Sequence, residues 1–252
     1  VSYHTAYLKA NFREEFLAAS MTLDMSNTDK LAMFASEARR AGIPVLPPCV
    51  NASGVEFGVE LSTSPSPIAL RERTGRGEAQ VLGSEQAAAP HPNPLPLKQG
   101  ERGSIRYSLA ALKNIGPGAV ETIVAERRAS GRFQDLSDFS RRFNAKALNK
   151  RGLETLAAAG SFDALEANRA LVHANVDQMM ALSQRLAHNT AAGISDLFGG
   201  GQASAGPKID LRPAKAWTPM EKLEHEFDAV GFFLSGHPLD AYESVLAELG
   251  VK

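Results

Sequence analysis

Two glycines and a proline lie together at residues 112–124, LKNIGPGAVETIV, in a spacing that suits a bound phosphate. Gly116 and Gly118 permit positive φ angles and let backbone N–H groups approach an anion without interference from a Cβ. Pro117 sets φ for a helix that starts at once, and the N–H groups at a helix N-terminus attract anions. Three basic side chains flank the run: Lys113, Arg127 and Arg128.

This run resembles a helix-hairpin-helix, with its hairpin at Ile115 to Gly118 and its second helix leaving at Ala119. Ile115, Ala119 and Ile123 are predicted to hold the two helices together. Such a hairpin contacts the nucleic-acid backbone, so it positions a duplex and does not read its base sequence.

A second, looser unit follows, with helices predicted at 133–143 and 147–159 and a turn at Asn144-Ala145. The turn of this second unit carries Lys146, Lys150 and Arg151. Two such units would pack as a pair around a shared core. The alternative is a purely structural four-helix arrangement that contains a glycine turn.

The charge distribution favours the same region. The 252 residues carry a net charge of −1, but 105–160 holds 10 basic and 5 acidic side chains, a net charge of +5. Residues 161–252 hold 7 basic and 12 acidic side chains, a net charge of −5. A local basic excess favours phosphate binding. A solvated helical surface is the alternative interpretation.

Several classes of protein are excluded by composition. One cysteine, Cys49, excludes an internal disulfide and a multi-cysteine zinc site. No apolar run approaches the roughly 20 residues of a membrane span, so no membrane partner is expected. The first residues, VSYHTAYLKANFREEF, have no apolar signal-peptide core and enter in mid-pattern. We expect a fragment of a cytoplasmic protein.

The chain is predicted to be mainly α, a helical fragment with a short two-stranded β element. Leu31, Phe34, Ala35 and Ala38 form one apolar stripe on a helix that Ser26 or Asn27 can cap and Gly42 can end. The alternation at 55–60 predicts a strand whose partner could be 105–109. Further helices are predicted at 167–190, 219–232 and 238–249, with an extended stretch at 191–217.

Residues 61–104 separate the two predicted strands and hold 6 of the 14 prolines. They contain no aromatic residue or methionine, and too little apolar surface to offset the entropy of ordering. The segment is predicted to be a disordered Pro- and Gly-rich insertion. The alternative is a Pro-rich ligand for a groove-binding partner.

Outside 61–104, the chain resembles the alpha subunit of bacterial replicative DNA polymerase III. Four stretches carry the resemblance. The first is residues 3–57, from YHTAYLKANF to NASGVEF, and the others are IRYSLAALKNIGPGAVETIVAERR, LNKRGLETLAAAGSFDAL and AVGFFLSGHPLDAY. It implies that 1–60 is the C-terminal part of the polymerase fingers and that 105–166 is a tandem helix-hairpin-helix unit gripping duplex DNA. Residues 167–252 would be a clamp-binding segment and a linker towards an OB domain. The implied partners are duplex DNA, the sliding clamp and other polymerase III holoenzyme subunits.

The resemblance also places a clamp-binding motif at 193–200, GISDLFGG. The five implied clamp contacts are Ile194, Ser195, Asp196, Leu197 and Phe198. The family motif begins with Gln, and Ile194 stands there in this sequence. Leu197 and Phe198 are adjacent apolar anchors in a Gly- and Ser-rich stretch, and packing back onto the preceding helix is the alternative.

The family catalyses DNA-directed DNA synthesis, a nucleotidyl transfer, through palm-domain aspartates that hold two Mg²⁺ ions. No part of this chain resembles the palm, so no catalytic residue and no cofactor are expected in it, and the chain alone is expected to be inactive. Two other interpretations are a free-standing helix-hairpin-helix DNA-binding protein and an inactive gene remnant.

Overall fold

The structure, a computed structural model, describes residues 2–61, 103–191, 207–236 and 238–239. The N-terminal part contains α1 Ser2–Asn11, α2 Arg13–Leu23, α3 Thr28–Arg40, β1 Val45–Leu46 and β2 Gly58–Leu61. The second part contains β3 Gly103–Arg106, α4 Pro117–Ser130, α5 Leu136–Arg142, α6 Lys150–Ala158, α7 Arg169–Ala174 and α8 Val176–Ala191. The helix α9 Pro219–Val230 lies in the third described range, residues 207–236. The mainly α prediction is confirmed.

The N-terminal helices form for the reasons that the sequence gives. Asn27 caps α3 by accepting a hydrogen bond from the N–H of Lys30 at 3.1 Å. Gly42, at φ 74°, follows the end of that helix. Leu31, Ala35 and Ala38 are buried along the predicted stripe.

The sheet has three strands in the order β1-β3-β2, where the sequence predicted two. The predicted antiparallel pair is present, with Val59 opposite Ile105. Val45 pairs with the same residue from the other side, in parallel. A two-residue strand leaves too little alternation to be seen in a sequence, so β1 was missed.

The predicted insertion at 61–104 is shorter than expected at both ends. Leu61 belongs to β2, and Gly103 and Ser104 are buried in β3. The prediction of disorder for the rest of the segment lies outside the described residues.

One hydrophobic core runs from α2 and α3 through the sheet to α4–α9. Around Phe139, which is fully buried, the rings of Phe133, Phe143 and Phe162 lie at centroid distances of 5.0, 5.3 and 4.9 Å. These edge and stacked contacts add to the burial of apolar area. They join α5 to the turns on either side of it and to the segment after α6.

The helix predicted at 167–190 is broken into α7 and α8 at Asn175. Asn175 is fully buried, and its side-chain amide donates to the carbonyls of Leu171 at 2.8 Å and Arg212 at 2.9 Å. Its Oδ1 accepts from the N–H of Arg212 at 2.8 Å. The break therefore anchors residues 207–218, which are neither helix nor strand, against the helices. Of the helix predicted at 238–249, only residues 238–239 are described.

Candidate nucleic-acid interface

The first hairpin lies where the sequence predicted it, but its backbone differs from the prediction. Gly116 is the N-cap of α4 with φ −83°, and Gly118 is inside the helix, so neither uses a positive φ. The left-handed residue is Asn114, at φ 61°. Asparagine tolerates this region better than other side chains, which is the signal the sequence offered.

The helix expected before the hairpin is replaced by turns at residues 109–114. The N–H of Leu112 bonds to the carbonyl of Leu109, and the N–H of Lys113 donates to the carbonyl of Ala229 in α9 at 3.0 Å. This long-range bond competes with a helical pattern and fixes the hairpin to α9.

Gly116 and Gly118 instead leave the backbone of the hairpin accessible from outside the chain. A Cβ built on Gly116 or on Gly118 would meet no atom within 4 Å. Both residues and Pro117 are exposed, while Ile115, Ala119 and Ile123 are buried as predicted. Pro117 has no N–H, and the N–H of Ala119 donates to the carbonyl of Gly116 at 3.0 Å, so the N–H of the exposed Gly118 is the group at the start of α4 that an anion can reach.

The second hairpin lies directly against the first. Asn144 accepts from the N–H of Lys146 at 2.9 Å, and Asn149 caps α6 by accepting from the N–H of Gly152 at 2.8 Å. A Cβ on Gly152 would lie 2.8 Å from Leu148 Cδ1 and 3.4 Å from the carbonyl oxygen of Asn114. Glycine at 152 therefore allows the two hairpins to touch. Asn114 Nδ2 also lies 3.4 Å from Thr155 Oγ1 in α6.

Arg142 holds the two units in register. Its guanidinium contacts Glu126 Oε1 at 2.9 Å and Asp138 Oδ2 at 3.0 Å, and it lies 4.4 Å from the centroid of the Phe133 ring. It also donates to the carbonyl of Gly131 at 2.8 Å. The hydrogen bond from Arg142 lowers the pKa of Glu126, so the carboxylate stays charged.

Four of the six predicted cations have no carboxylate within ion-pairing distance among the residues that the structure describes: Lys113, Arg128, Lys146 and Arg151. All four are exposed. Lys113, Lys146 and Arg151 lie at the hairpins. Arg128 lies ten residues beyond Gly118 on α4, about 15 Å along the axis, so it cannot share a phosphate with the hairpin.

The other two predicted cations are engaged within the chain. Arg127 Nη1 donates to the carbonyls of Val50 and Ser53 at 2.8 and 2.9 Å, and burial lowers the pKa of its guanidinium. Lys150 Nζ lies 2.6 Å from Asp177 Oδ1, and that hydrogen bond raises the pKa of Lys150. A phosphate would have to compete with these partners, which the sequence could not reveal.

A cleft of about 280 Å³ lies between the hairpins and α9. Asn114 and Arg151 line it together with His173, His225 and Asp228. Burial lowers the pKa of His173, so this imidazole is neutral near pH 7. Within the described ranges, no group of three or more His, Cys, Asp or Glu is placed to hold a metal ion.

The predicted clamp-binding residues, from Ile194 to Phe198, lie outside the described residues. Among the helices that are described, none combines the length and the apolar character needed to cross a membrane.

Comparison with known proteins agrees with this geometry. The helix-hairpin-helix motif family matches residues 42–172. The DNA polymerase III subunit alpha of Caulobacter vibrioides is 37% identical over 95% of this chain and 17% of its own length. Those of Neisseria meningitidis serogroup B and Chlamydia trachomatis serovar D are 34% and 32% identical, over 99% and 100% of this chain. The chain spans less than a fifth of the length of these relatives.

The left-handed Asn114 gives a test of the hairpin backbone. We expect Asn114→Ala to be less stable than Asn114→Gly by about 1 kcal/mol, because only glycine adopts positive φ without a Cβ penalty. Both variants lose the contact with Thr155, so the comparison isolates the backbone. Urea unfolding followed by circular dichroism measures it, and equal free energies of unfolding would contradict the assigned conformation.

Proposed function

The chain belongs to the helix-hairpin-helix motif family and is homologous to a section of DNA polymerase III subunit alpha, and on this premise we propose that its two hairpins bind the backbone of duplex DNA. The observation that carries the proposal is the open surface at Gly116 and Gly118. A phosphate oxygen can reach the N–H of Gly118 at the start of α4 there, and the helix dipole favours its negative charge.

The neighbouring cations support the same function. Lys113, Lys146 and Arg151 are exposed around two hairpins that contact each other, so they add positive charge to one surface. None of these contacts involves a base edge, which predicts binding that is independent of sequence. The contact uses only groups of the chain and needs no cofactor.

We propose that this contact serves DNA replication, with the chain as the duplex-holding part of a polymerase III alpha subunit in the cytoplasm. For the whole protein, we propose that the activity is DNA-directed DNA synthesis and that the partners include the other holoenzyme subunits. A primer-extension assay with Mg²⁺ and primed template is the measurement of synthesis by the chain itself.

Contact with a sliding clamp is a second proposal, and it depends on the sequence at 193–200. Leu197 and Phe198 are adjacent large apolar residues in a stretch otherwise composed mainly of glycine and small or polar residues. Such a pair suits a pocket on a partner. Ile194 replaces the glutamine of the family motif, which removes one hydrogen bond, worth about 1 kcal/mol.

The first prediction concerns the glycines. The double variant Gly116→Ala and Gly118→Ala should bind duplex DNA at least about tenfold more weakly, because two Cβ atoms would hold phosphates away from the N–H groups. Neither Cβ meets an atom of the chain, so the fold should be unchanged. Fluorescence anisotropy with a labelled duplex measures the affinity. Gly58→Ala, an equally open glycine in β2, is the control, and unchanged affinity in the double variant would contradict the proposal.

The second prediction concerns charge. Each contacted phosphate adds about −0.9 to the slope of log K against log salt, so Lys146→Gln should make the slope shallower by about that amount. Lys150→Gln removes the same charge from a residue already paired with Asp177 and should change the slope less. The slopes come from binding titrations at several salt concentrations. Equal slopes for the two variants would show that the ion pair does not decide which lysine contacts DNA.

The third prediction concerns the clamp. A peptide of residues 192–201 should bind a bacterial sliding clamp with micromolar or weaker affinity. Phe198→Ala should abolish binding, and Ile194→Gln should tighten it by about fivefold, since one hydrogen bond worth about 1 kcal/mol is restored. Titration by anisotropy, with a scrambled peptide as control, measures both effects. If the Phe198→Ala peptide binds as well as the parent, Phe198 is not the anchor.

A further inference from the structure

An exposed aromatic ring lies beside the first hairpin. Phe227, on α9, keeps 41% of its surface exposed. The centroid of its ring is 4.9 Å from that of Phe233, and the ammonium of Lys113 lies over it at 5.9 Å. What distinguishes this ring is that a cation from the hairpin itself lies over it.

The backbone fixes this ring close to the hairpin. The N–H of Lys113 donates to the carbonyl of Ala229, two residues after Phe227. A Cβ on Gly231 would lie 3.3 Å from Lys113 Cε. The hairpin is therefore joined to both ends of the segment that carries the aromatic pair's first ring.

The second ring of the pair is held by a buried carboxylate. Glu226, fully buried, accepts from the N–H groups of Leu234 at 2.9 Å and Ser235 at 2.7 Å. Arg39 Nη2 lies 3.4 Å from the carbonyls of Phe233 and Leu234, which brings a second cation to the pair. A platform fixed in this way loses little entropy when it binds a flat ligand.

Two cations near the pair, Lys113 and Arg39, are available to an anion. In the part of the chain that the structure describes, no carboxylate lies within ion-pairing distance of Lys113 or Arg39. The acidic neighbours on α9 are Glu224, Asp228 and Glu226; Asp228 lines the cleft that contains Arg151, and the buried Glu226 is paired with Arg169. A flexible lysine stem lets the ammonium move from the ring to a phosphate when a base stacks on the ring.

Building on the proposed duplex binding, we propose that Phe227, Phe233 and Lys113 form a site for an unpaired nucleotide next to the duplex held by the first hairpin. The base stacks on Phe227, and its phosphate pairs with Lys113. Stacking on aromatic side chains accepts any base, which agrees with binding independent of sequence. A protein partner would need roughly 800 Å² of surface, far more than this pair of rings offers.

The experiment uses the full chain and three labelled DNAs. The first is a blunt duplex of about 16 base pairs, the second carries an extension of about four unpaired nucleotides, and the third carries the same extension made of abasic sites. Both extension polarities are included. The abasic DNA keeps the phosphates and removes the bases, so the ratio of the second and third affinities reports stacking alone.

We expect the chain to bind the extension with bases about tenfold more tightly than the abasic one, for at least one polarity. Phe227→Ala should remove this difference and leave the affinity for blunt duplex unchanged, while Phe227→Trp should retain it. Met220→Ala, another exposed apolar residue of α9, is the matched control and should retain the difference. Circular dichroism checks the fold of each variant.

Two results would overturn the inference: equal affinity for the two extensions in the unchanged protein, or a preference that survives in Phe227→Ala. Blunt duplex that binds normally in those cases leaves the proposed duplex contact intact. Failure to bind any duplex would instead overturn the proposed function, and this inference with it.

Discussion

A carboxylate removed from water needs partners for its charge, and Glu226 finds three within the chain. Two are backbone N–H groups, and the third is Arg169, whose Nη1 lies 3.4 Å from Oε2. Arg169 is itself buried, bonds to Asp163 at 2.7 Å and lies 3.3 Å from the carbonyl of Ala158. Removing one member would leave a buried charge with fewer partners, so these groups constrain one another. The network sets α9 against α6 and α7, and α9 in turn holds the first hairpin through Ala229.

The hairpins depend on a second close contact, between the carbonyl of Asn114 and Gly152. Any side chain at 152 would meet Leu148 and press towards that carbonyl. Because the hairpins touch, the turn at Asn114 that precedes α4 lies against the first turn of α6. The contact therefore fixes the position of the first hairpin relative to α6, whose start Asn149 caps.

Much of this could be predicted from the sequence, where the signal is local. The hairpin at Ile115 to Gly118, the cap at Asn27 and the pairing of β2 with β3 each follow from residues close in sequence or from simple alternation. The missed features depend on distant residues. Arg127 is engaged by Val50 and Ser53, and α7 ends at Asn175 because that amide binds Arg212. No pattern within a short window contains both members of such pairs.

The pairing of β2 with β3 has a consequence for how the gene can vary. Leu61 and Gly103 are cross-strand partners, so the chain leaves the sheet and returns to it at adjacent points. The entropy of closing the connection rises only with the logarithm of its length, so the sheet sets no upper bound on the residues between them. Each doubling of the length inserted at this position costs only about 0.6 kcal/mol of closure entropy, so long insertions there leave folding nearly unchanged.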